Sequence, residues 1–595
     1  MTTKLRFTAL VPAALAVGFV ACSSRDGGFA GPGPALVSQD GGGAEAATAP
    51  PECAGQKCSR DLHEVVDGCT EHVVKECGAG LGCSKGECIP ACDSAAAAQG
   101  SIGCSFWTAA PDVLRDSESS CFAAFIANTW DQPATVMAEF GSEPLDISQS
   151  LYRAVSKPGG LIGYERIDGG IPPGEVGIVF LSQGDETPDT IHHVSCPPEV
   201  KPAYHGIVTA EHATSLYKAF HLTTDVPVSA YSIFPYGGAK SYIPSATLLT
   251  PSTSWEKQYM LVDGWRYQHR VGLGFPFVQI VAPEDTEIRL RANANVIDGI
   301  GVSGGPKGSV VKWSLKRGQV LELTQLESLT GSTLEADVPV ALFGGNQCVN
   351  LPDDEFACDS LHQQIPPVRQ WSSTYAAVPY PSRRKAIAGA PNAPEEVIWQ
   401  IASANDGTVL TYDPAPPTGA PLTLGAGQRA FFTTDQLFSV RSQDTSHPIY
   451  LAVYMTGASR YSSLGDPDYV NIIPNDQFLD HYVFFVDYTY ANSSLTLVRR
   501  KDVNGFHDVT LDCVGTVTGW KPLATDGTTE YAWIDLTYGG QDVKTASGAC
   551  SYGRHEASSD GPFILYVWGM DETASYGFPA GAGSRPTSPY EVHVQ

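Results

Sequence analysis

The hydrophobic pattern from about residue 104 onward consists of short apolar or alternating stretches separated by turns rich in Gly, Pro, Asn and Asp. Alternation with a period of two is typical of β-strands that bury one face. A helical period nowhere extends beyond about two turns. The best short-helix candidate is residues 211–219 (EHATSLYKA). The pattern therefore predicts an all-β fold.

Two landmarks recur along this part of the chain. Pro227, Pro339, Pro448 and Pro562 are 112, 109 and 114 residues apart, and each separates a strand-like stretch from an apolar one. This pattern predicts a turn followed by a strand at each proline. An aromatic residue followed four positions later by Tyr keeps the same interval, at Trp255–Tyr259, Trp371–Tyr375 and Phe478–Tyr482. A constant interval of about 110 residues indicates tandem structural repeats.

A third landmark is an apolar strand, a polar turn and an alternating strand, which together predict a β-hairpin. It occurs at residues 124–140, 278–292, 399–413 and 487–500. Several short strands in about 110 residues suit a small β-sandwich. The alternative is a propeller-like β architecture, whose blades typically need only about 40–50 residues.

These signals divide the chain into seven segments. We expect a lipoprotein signal peptide at 1–21, a lipidated Cys with a disordered Gly/Ala/Pro linker at 22–52, a small disulfide-rich module at 53–103, and β repeats one to four at 104–250, 251–365, 366–473 and 474–595.

The N-terminus has the features of an export signal. Lys4 and Arg6 precede an apolar run that ends at Ala21, which is shorter than the roughly 20 residues of a membrane-spanning helix. The following Cys22 and Ser23 complete a segment that resembles a bacterial lipobox, in which the cysteine is diacylated. We expect an exported outer-membrane lipoprotein, on the cell surface or the periplasmic face, with lipid on Cys22 as its membrane anchor. The alternative is an ordinary signal peptide cleaved after Ala21 or later.

The chain has 15 cysteines, and lipid on one of them leaves 14 for as many as seven disulfides. Seven lie between Cys53 and Cys92, a density typical of a disulfide-stapled module and without the C-x2-C pairs that zinc favours. The predicted pairs in the repeats are Cys348–Cys358, Cys513–Cys550 and, if Cys104 pairs within the module, Cys121–Cys196.

Charge and motifs bound the possible chemistry. The net charge of −27 excludes nucleic acid as the main partner, because phosphate binding requires an excess of Lys and Arg. Residues 301–305 (GVSGG) fit G-x-S-x-G but lack the strand before and the helix after that a nucleophile elbow needs, so we expect a glycine loop. No residue is assigned a catalytic role.

Two acidic clusters are weak calcium candidates, since carboxylates on loops of extracellular modules bind this ion. Their candidate ligands are Asp353 and Asp354, near Glu355 and Asp359, and Asp466 and Asp468, near Asp476. Neither cluster has the spacing of an EF-hand or a calcium-binding nonapeptide, and solvated acidic loops are the alternative. Beyond this calcium no cofactor or metal is expected.

The region from residue 103 to the C-terminus resembles a known family. The resemblance rests on segments 222–252 (LTTDVPVSAYSIFPYG to SATLLTPS), 348–367 (with ACDSL and QIPP), 464–478 (LGDP to PNDQF) and 567–581 (VWGMDETASYGFPAG). These are similar to the N-terminal domain family named after the IgG Fc-binding protein, which myxobacterial-type bacterial lipoproteins carry. The resemblance implies extracellular binding or adhesion.

The expected function is that of a non-catalytic, lipid-anchored surface protein whose β repeats bind an extracellular protein or polysaccharide. The alternative is an exported carbohydrate-active hydrolase or its accessory binding part. A pair of carboxylates from different repeats, converging in an open cleft, would favour the hydrolase.

Overall fold

Strands dominate the computed structural model, which describes residues 55–157, 161–209, 213–268, 274–355, 358–387 and 393–594. The all-β fold class, with a disulfide-rich segment at its N-terminal end, is confirmed. The segments predicted as signal peptide, lipidated Cys22 and linker lie outside the described residues.

The strands fall into the following ranges. The disulfide-rich module has β1 (Gln56–Cys58), β2 (Glu64–Asp67), β3 (Val73–Glu76), β4 (Leu81–Ser84), β5 (Glu87–Pro90) and helix α1 (Ala91–Ala98). Repeat one has β6 (Gly103–Thr108), β7 (Phe122–Asn128), β8 (Val136–Phe140), β9 (Glu143–Leu145), β10 (Leu151–Lys157), β11 (Leu161–Arg166), β12 (Val176–Gln183), β13 (Tyr204–His205), β14 (Ser215–Lys218), β15 (Phe220–Phe234) and β16 (Ser245–Leu249). Repeat two has β17 (Glu256–Met260), β18 (Pro276–Val281), β19 (Thr286–Arg291), β20 (Val310–Leu315), β21 (Gln319–Thr324), β22 (Thr333–Val349) and β23 (Asp359–Gln364).

The second half of the chain continues the pattern. Repeat three has β24 (Thr374–Ala377), β25 (Val397–Ser403), β26 (Thr408–Asp413), β27 (Thr423–Leu424), β28 (Arg429–Thr434), β29 (Phe438–Ser442), β30 (Ile449–Met455) and β31 (Asp468–Asn471). Repeat four has β32 (Leu479–Val486), β33 (Asn492–Arg500), β34 (Val509–Leu511), β35 (Gly515–Thr516), β36 (Lys521–Pro522), β37 (Thr529–Tyr538), β38 (Gln541–Lys544), β39 (Ala549–Cys550), β40 (Gly553–Asp571) and β41 (Ala574–Pro579). Short 3-10 helices occupy Arg115–Ser117, Gly238–Lys240, Ser252–Ser254, Val368–Gln370, Arg383–Ala386, Ala458–Arg460 and Asn475–Gln477.

The same antiparallel pairings recur four times. One sheet of each repeat contains β12–β7–β15–β16, β21–β18–β22–β23, β28–β25–β30–β31 or β37–β33–β40–β41. The facing sheet contains β6–β15–β8, β17–β22–β19, β24–β29–β26 or β32–β40–β34. Each repeat is therefore a sandwich-like pair of sheets built on one scheme.

The landmark prolines lie where one long strand passes from one sheet to the other. Pro227, Pro339 and Pro562 lie inside β15, β22 and β40, so the predicted turn is wrong in these three repeats. The pairing of each strand shifts register at its proline, because proline has no N–H for the ladder and is accommodated in a bulge. In repeat three the strand is interrupted instead, and Pro448 directly precedes β30.

The predicted hairpins are also wrong. Among the described pairings, β7 and β8, β18 and β19, β25 and β26, and β32 and β33 do not pair with each other. In the first three repeats the polar turn carries the chain from one sheet of the sandwich to the other. The two strands therefore face each other across the core, and their apolar side chains pack together rather than their backbones.

The short-helix candidate at 211–219 is wrong in the part that the structure describes, residues 213–219. Residues Ser215–Lys218 form β14, which pairs with β21 of repeat two. Hydrogen bonds to a strand of the next repeat outweigh the weak local helical preference.

The landmark aromatic residues build the junctions between repeats. In each junction a proline precedes a single 3-10 turn, which ends at Trp255, Trp371 or Phe478. The tyrosine that follows donates its hydroxyl to the carbonyl after the landmark proline: Tyr259 to Val340 (2.7 Å), Tyr375 to Ile449 (2.5 Å) and Tyr482 to Phe563 (2.7 Å). The repeated motif thus connects the start of each repeat to the bulge of its long strand.

The four repeats close into a ring. Strand β16 contacts β23 and β41, and β31 contacts the same two strands, so these four strands surround a common axis. Each repeat also accepts a hydrogen bond from the next around the ring: the carbonyls of Ala110, Gly264, Pro379 and Val483 accept from Gln279 (2.9 Å), Tyr454 (2.6 Å), Thr496 (2.9 Å) and Tyr231 (3.2 Å). From the sequence, a β-sandwich and a propeller-like closure were alternatives. The structure combines them: each repeat is sandwich-like, and the four repeats together close into a ring.

Six disulfides join described residues. Three hold the N-terminal module and attach it to repeat one: Cys58–Cys83, Cys77–Cys88 and Cys92–Cys104. The other three, Cys121–Cys196, Cys348–Cys358 and Cys513–Cys550, are the pairs proposed from the sequence. Because Cys104 pairs with Cys92 of the module, Cys121 is available for Cys196.

In the part of the chain that the structure describes, no helix has both the length and the apolar character required to cross a membrane.

Candidate functional site

The two acidic clusters of the sequence have different environments. Asp353 is exposed, forms an ion pair with Arg266 and accepts a hydrogen bond from Gln268 Nε2 (2.9 Å). Asp354 is exposed on the same loop. The structure does not bring these two residues together with Asp466 and Asp468, which are fully buried. It places Asp359 with the latter pair instead.

Asp359, Asp466 and Asp468 define what we call the carboxylate end of the axis, where β23 and β31 begin. Asp468 accepts hydrogen bonds from the backbone N–H groups of Tyr469 (2.8 Å) and Gly577 (2.7 Å). Asp466 accepts one from the N–H of Ala458 (3.3 Å). Burial raises the pKa of Asp466 to about 7 and holds that of Asp468 well above its usual range.

The opposite end of the axis, which we call the amide end, is lined by Gln364, Gln370, Asn471 and Gln477. They surround a cavity of about 50 Å³, enough for a few water molecules. Asn471 Nδ2 donates to the carbonyl of Gln364 (2.8 Å), and Gln477 Nε2 donates to the carbonyl of Arg585 (2.6 Å) in the C-terminal segment. This end is therefore closed by direct hydrogen bonds.

Two carboxylates in the contact between repeats one and two, Asp112 and Glu322, converge on a single hydroxyl. Thr324 Oγ1 donates to Glu322 Oε1 (2.8 Å) and lies 3.1 Å from Asp112 Oδ2, so the two acids share one hydroxyl. Burial and the adjacent Asp112 raise the pKa of Glu322 well above its usual range. Both carboxylates are fully buried. A glycoside cannot reach this pair, which lies in the contact between repeats one and two.

One group of three side chains among the described residues offers possible metal-ligand atoms within 4.8 Å of one another: Asp512, Cys513 and His555. Cys513 is bonded to Cys550, so it has no thiolate to give a metal. His555 Nδ1 lies 2.9 Å from Asp512 Oδ1, which is an ordinary hydrogen-bonded pair.

The G-x-S-x-G match is a loop of repeat two, as expected. Val302 forms a bridge with Gly299, and the N–H of Gly304 donates to Asp298 Oδ1 (2.6 Å). The carbonyl of Ser303 accepts from Trp313 Nε1 (2.9 Å). These contacts hold a tight irregular turn, with no strand-to-helix elbow.

A groove of about 820 Å³ lies between repeats one and four. Tyr488 and Tyr552 stack in it with ring centroids 5.6 Å apart, and both rings are half-buried. Leu161, whose exposed fraction is 66%, lies on the opposite side, with Lys157 beside it and Lys544 on the repeat-four side. Aromatic faces with charged groups around them can bind a sugar or a protein side chain.

The sequence did not point to this groove. Tyr488 follows β32 and Tyr552 directly precedes β40. These two strands of repeat four pair with each other up to Val486 and Gly553, and this pairing brings the two rings together. No spacing in the sequence marks the pair.

Comparisons with known proteins identify sequence relatives of this chain. The family model described as IgGFc binding protein matches residues 245–569, more than half of the chain. The human IgGFc-binding protein is 24% identical over 298 residues, which are 48% of this chain and 5% of the human protein. The chain thus spans a small fraction of that relative's length. Repeat one lies almost wholly outside the matched range, although its strand order is that of the others. On the extent of the match, the chain belongs to the IgGFc binding protein family.

Proposed function

We propose that this chain is a non-catalytic, exported binding protein, held on the outer membrane by lipid on Cys22, whose four β repeats (104–250, 251–365, 366–473 and 474–595) bind an extracellular protein or polysaccharide. Membership of a family named for binding supports the binding role. Six disulfides support export, because such bonds persist in oxidising compartments.

The groove between repeats one and four is the proposed binding site, and its stacked tyrosines carry the proposal. Tyr488 and Tyr552 offer a broad apolar surface at low entropic cost, since each ring has few rotatable bonds. Asp542 and Lys544 on the same wall supply charged partners for polar groups of the ligand.

A binding screen tests the groove. The full chain with Cys22→Ala, which cannot be lipidated, is screened against glycans and surface proteins, and positive ligands are titrated. We expect Tyr552→Ala to weaken binding at least about tenfold, as loss of a central aromatic contact does. Tyr538→Ala is the matched control, because Tyr538 is an exposed tyrosine of repeat four outside the groove. Equal loss in both variants would contradict the assignment.

Anchoring is tested separately by metabolic labelling with palmitate. The wild-type chain should incorporate the label and partition into membranes, whereas Cys22→Ala should do neither. Label in the Cys22→Ala variant would contradict lipidation at this cysteine. The binding test does not depend on this result.

The hydrolase alternative needs two accessible carboxylates. The pair Asp112 and Glu322 is buried in the contact between repeats one and two, and the carboxylates at the carboxylate end are buried as well, so neither set is accessible to a glycan. Release of reducing sugar from any glycan bound in the screen would favour the hydrolase.

A further inference from the structure

Asp359 is the least satisfied polar side chain at the carboxylate end. It is the first residue of β23, its exposed fraction is 0%, and both of its carboxylate oxygens lack a hydrogen-bond partner. An ionised carboxylate that is removed from water without a partner costs several kcal/mol, roughly. In a well-packed interior a buried carboxylate is normally stabilised by a hydrogen-bond donor, a cation or a bound ion.

The groups around Asp359 make the imbalance larger. Asp466 is also fully buried, and its Oδ2 atom has no partner. Tyr490, buried at the same end, has an unpartnered hydroxyl. The like charges of Asp466 and Asp468 act together with burial to raise the pKa of Asp359 well above its usual range. Asp359 and Asp468 thus begin two neighbouring strands, β23 and β31, with Asp466 two residues before the second, so that three buried carboxylates lie at one end of the axis.

The buried cation near Asp466 is Arg383, and it already has other partners. Arg383 forms an ion pair with Glu395 (2.7 Å) and donates to the carbonyls of Thr456 (2.8 Å) and Leu464 (3.1 Å). Its charge partly offsets the effect of burial on the pKa of Asp466, whereas no cation among the described residues acts in this way on Asp359. A protein cation therefore does not balance the site.

The geometry points to a divalent cation, Ca²⁺, bound at the carboxylate end by Asp359, Asp466 and Asp468. All three donors are carboxylate oxygens, the ligand type that calcium prefers, and no thiolate or imidazole is among them. Calcium also accepts irregular coordination of six to eight ligands that includes water and backbone carbonyls. Two hydroxyl-bearing residues lie at the start of the other axial strands, Ser245 as the first residue of β16 and Ser575 as the second residue of β41.

The three carboxylates do not form a group with all ligand atoms within 4.8 Å. Side-chain rotation at Asp359, whose oxygens hold no other bond, would bring its oxygens towards the ion. Water would complete the shell, and the affinity expected of such an extracellular module is about 10⁻⁴–10⁻³ M. The site differs from the exposed loop of Asp353 and Asp354.

The test uses the full chain, freed of metal with EDTA and dialysed into about 150 mM salt with millimolar Mg²⁺, which screens weak surface sites. Radioactive calcium is then titrated in equilibrium dialysis, and the unfolding midpoint is followed with and without calcium. We expect one ion per chain and a higher midpoint with calcium. Asp359→Asn should lower the affinity at least about tenfold and abolish the rise of the midpoint.

Asp354→Asn is the matched control, because it removes the same charge from the exposed loop and should leave both readouts unchanged. If Asp359→Asn fails to fold, Asp466→Asn takes its place with the same expectation. The proposal is overturned if the wild-type chain binds no calcium above the level of the Asp359→Asn variant, or if calcium does not raise its midpoint. Either result would mean that the carboxylates are simply protonated.

Discussion

The two ends of the axis contrast although the same strands form both. Strands β23 and β31 begin with Asp359 and Asp468 at the carboxylate end and finish with Gln364 and Asn471 at the amide end. At the amide end the side chains donate to carbonyls of neighbouring repeats and of the C-terminal segment. At the carboxylate end two buried acids keep oxygens without a partner. Ring closure therefore stabilises one end and leaves buried carboxylate oxygens without hydrogen-bond partners at the other.

The largest effect is expected where ring closure itself is broken. A Cβ atom on Gly331 would lie 2.0 Å from the carbonyl oxygen of Gly427 in the next repeat, and Gly331 has φ +92°. Gly331→Ala should therefore lower the free energy of unfolding by about 3–5 kcal/mol. Gly407→Ala, at φ +67° with no atom within 4 Å of the added Cβ, should cost only about 1 kcal/mol. Denaturant unfolding measures both, and equal costs would mean that the contact between repeats yields without strain.

The next effect concerns the amide end. Gln477 accepts from the N–H of Arg585 (3.1 Å) and donates to the carbonyls of Arg585 (2.6 Å) and Gln370 (3.3 Å). Gln477→Ala removes these bonds in a buried site and should cost about 2–4 kcal/mol in the free energy of unfolding. The exposed Gln443, changed to Ala, should cost less than about 1 kcal/mol. A similar loss of unfolding free energy in the two variants would show that the buried hydrogen bonds of Gln477 do not stabilise the amide end.

At the carboxylate end we expect a substitution to increase the free energy of unfolding instead of lowering it. In EDTA at pH 7, Asp359→Asn replaces a buried carboxylate that has no partner with a neutral group of the same shape. We expect this change to raise the free energy of unfolding by about 1–2 kcal/mol. Chemical denaturation with Asp354→Asn as the near-neutral control measures it. A destabilised Asp359→Asn variant would show that the carboxylate has compensation within the protein.

The smallest effect belongs to a carboxylate that has its partners. His481 Nε2 (2.8 Å) and Arg554 Nη2 (2.6 Å) hold the pKa of Glu556 at about 2, below its ordinary 4.5. A lowered pKa gives stability that is present above 4.5 and lost as the pH falls towards 2. The side chain is 41% exposed, so solvent screening reduces the effect.

Glu556→Gln should therefore cost less than about 1 kcal/mol at pH 7 and nothing near pH 2. Unfolding measured across this pH range, with the exposed Glu327→Gln as control, checks it. A cost that does not change with pH would rule out the ion pair as its source.

Much of the fold was readable from local pattern. The interval of the prolines and of the aromatic–Tyr pairs marked the repeats, because each repeat needs the same bond from Tyr259, Tyr375 or Tyr482 to its long strand. Counting cysteines also led to the pair Cys121–Cys196 that the structure contains. The prolines and the aromatic–Tyr pairs have fixed positions within each repeat, so they recur at a constant interval and can be recognised in a single sequence.

The pairing of strands was not readable in the same way. The sequence pattern of an apolar strand, a turn and an alternating strand is the same in two arrangements: two strands that pair in one sheet, and two strands that face each other across a core. Alternation indicates only which face of a strand is buried. Arg383 shows the same limit, because it begins a short basic run, Arg383–Lys385, and is nevertheless fully buried and paired with Glu395.

The β content, the four repeats and the disulfide partners in the repeats were predictable from the sequence, because periodicity, composition and cysteine number are local or countable. Only the tertiary structure decided that the repeats close into a ring. Closure brings together residues far apart in the chain: Leu161 of repeat one with Tyr488 of repeat four around the groove, and Asp359 of repeat two with Asp466 of repeat three at the carboxylate end. These contacts cannot be predicted from residue spacing, since they depend on how the repeats pack against one another.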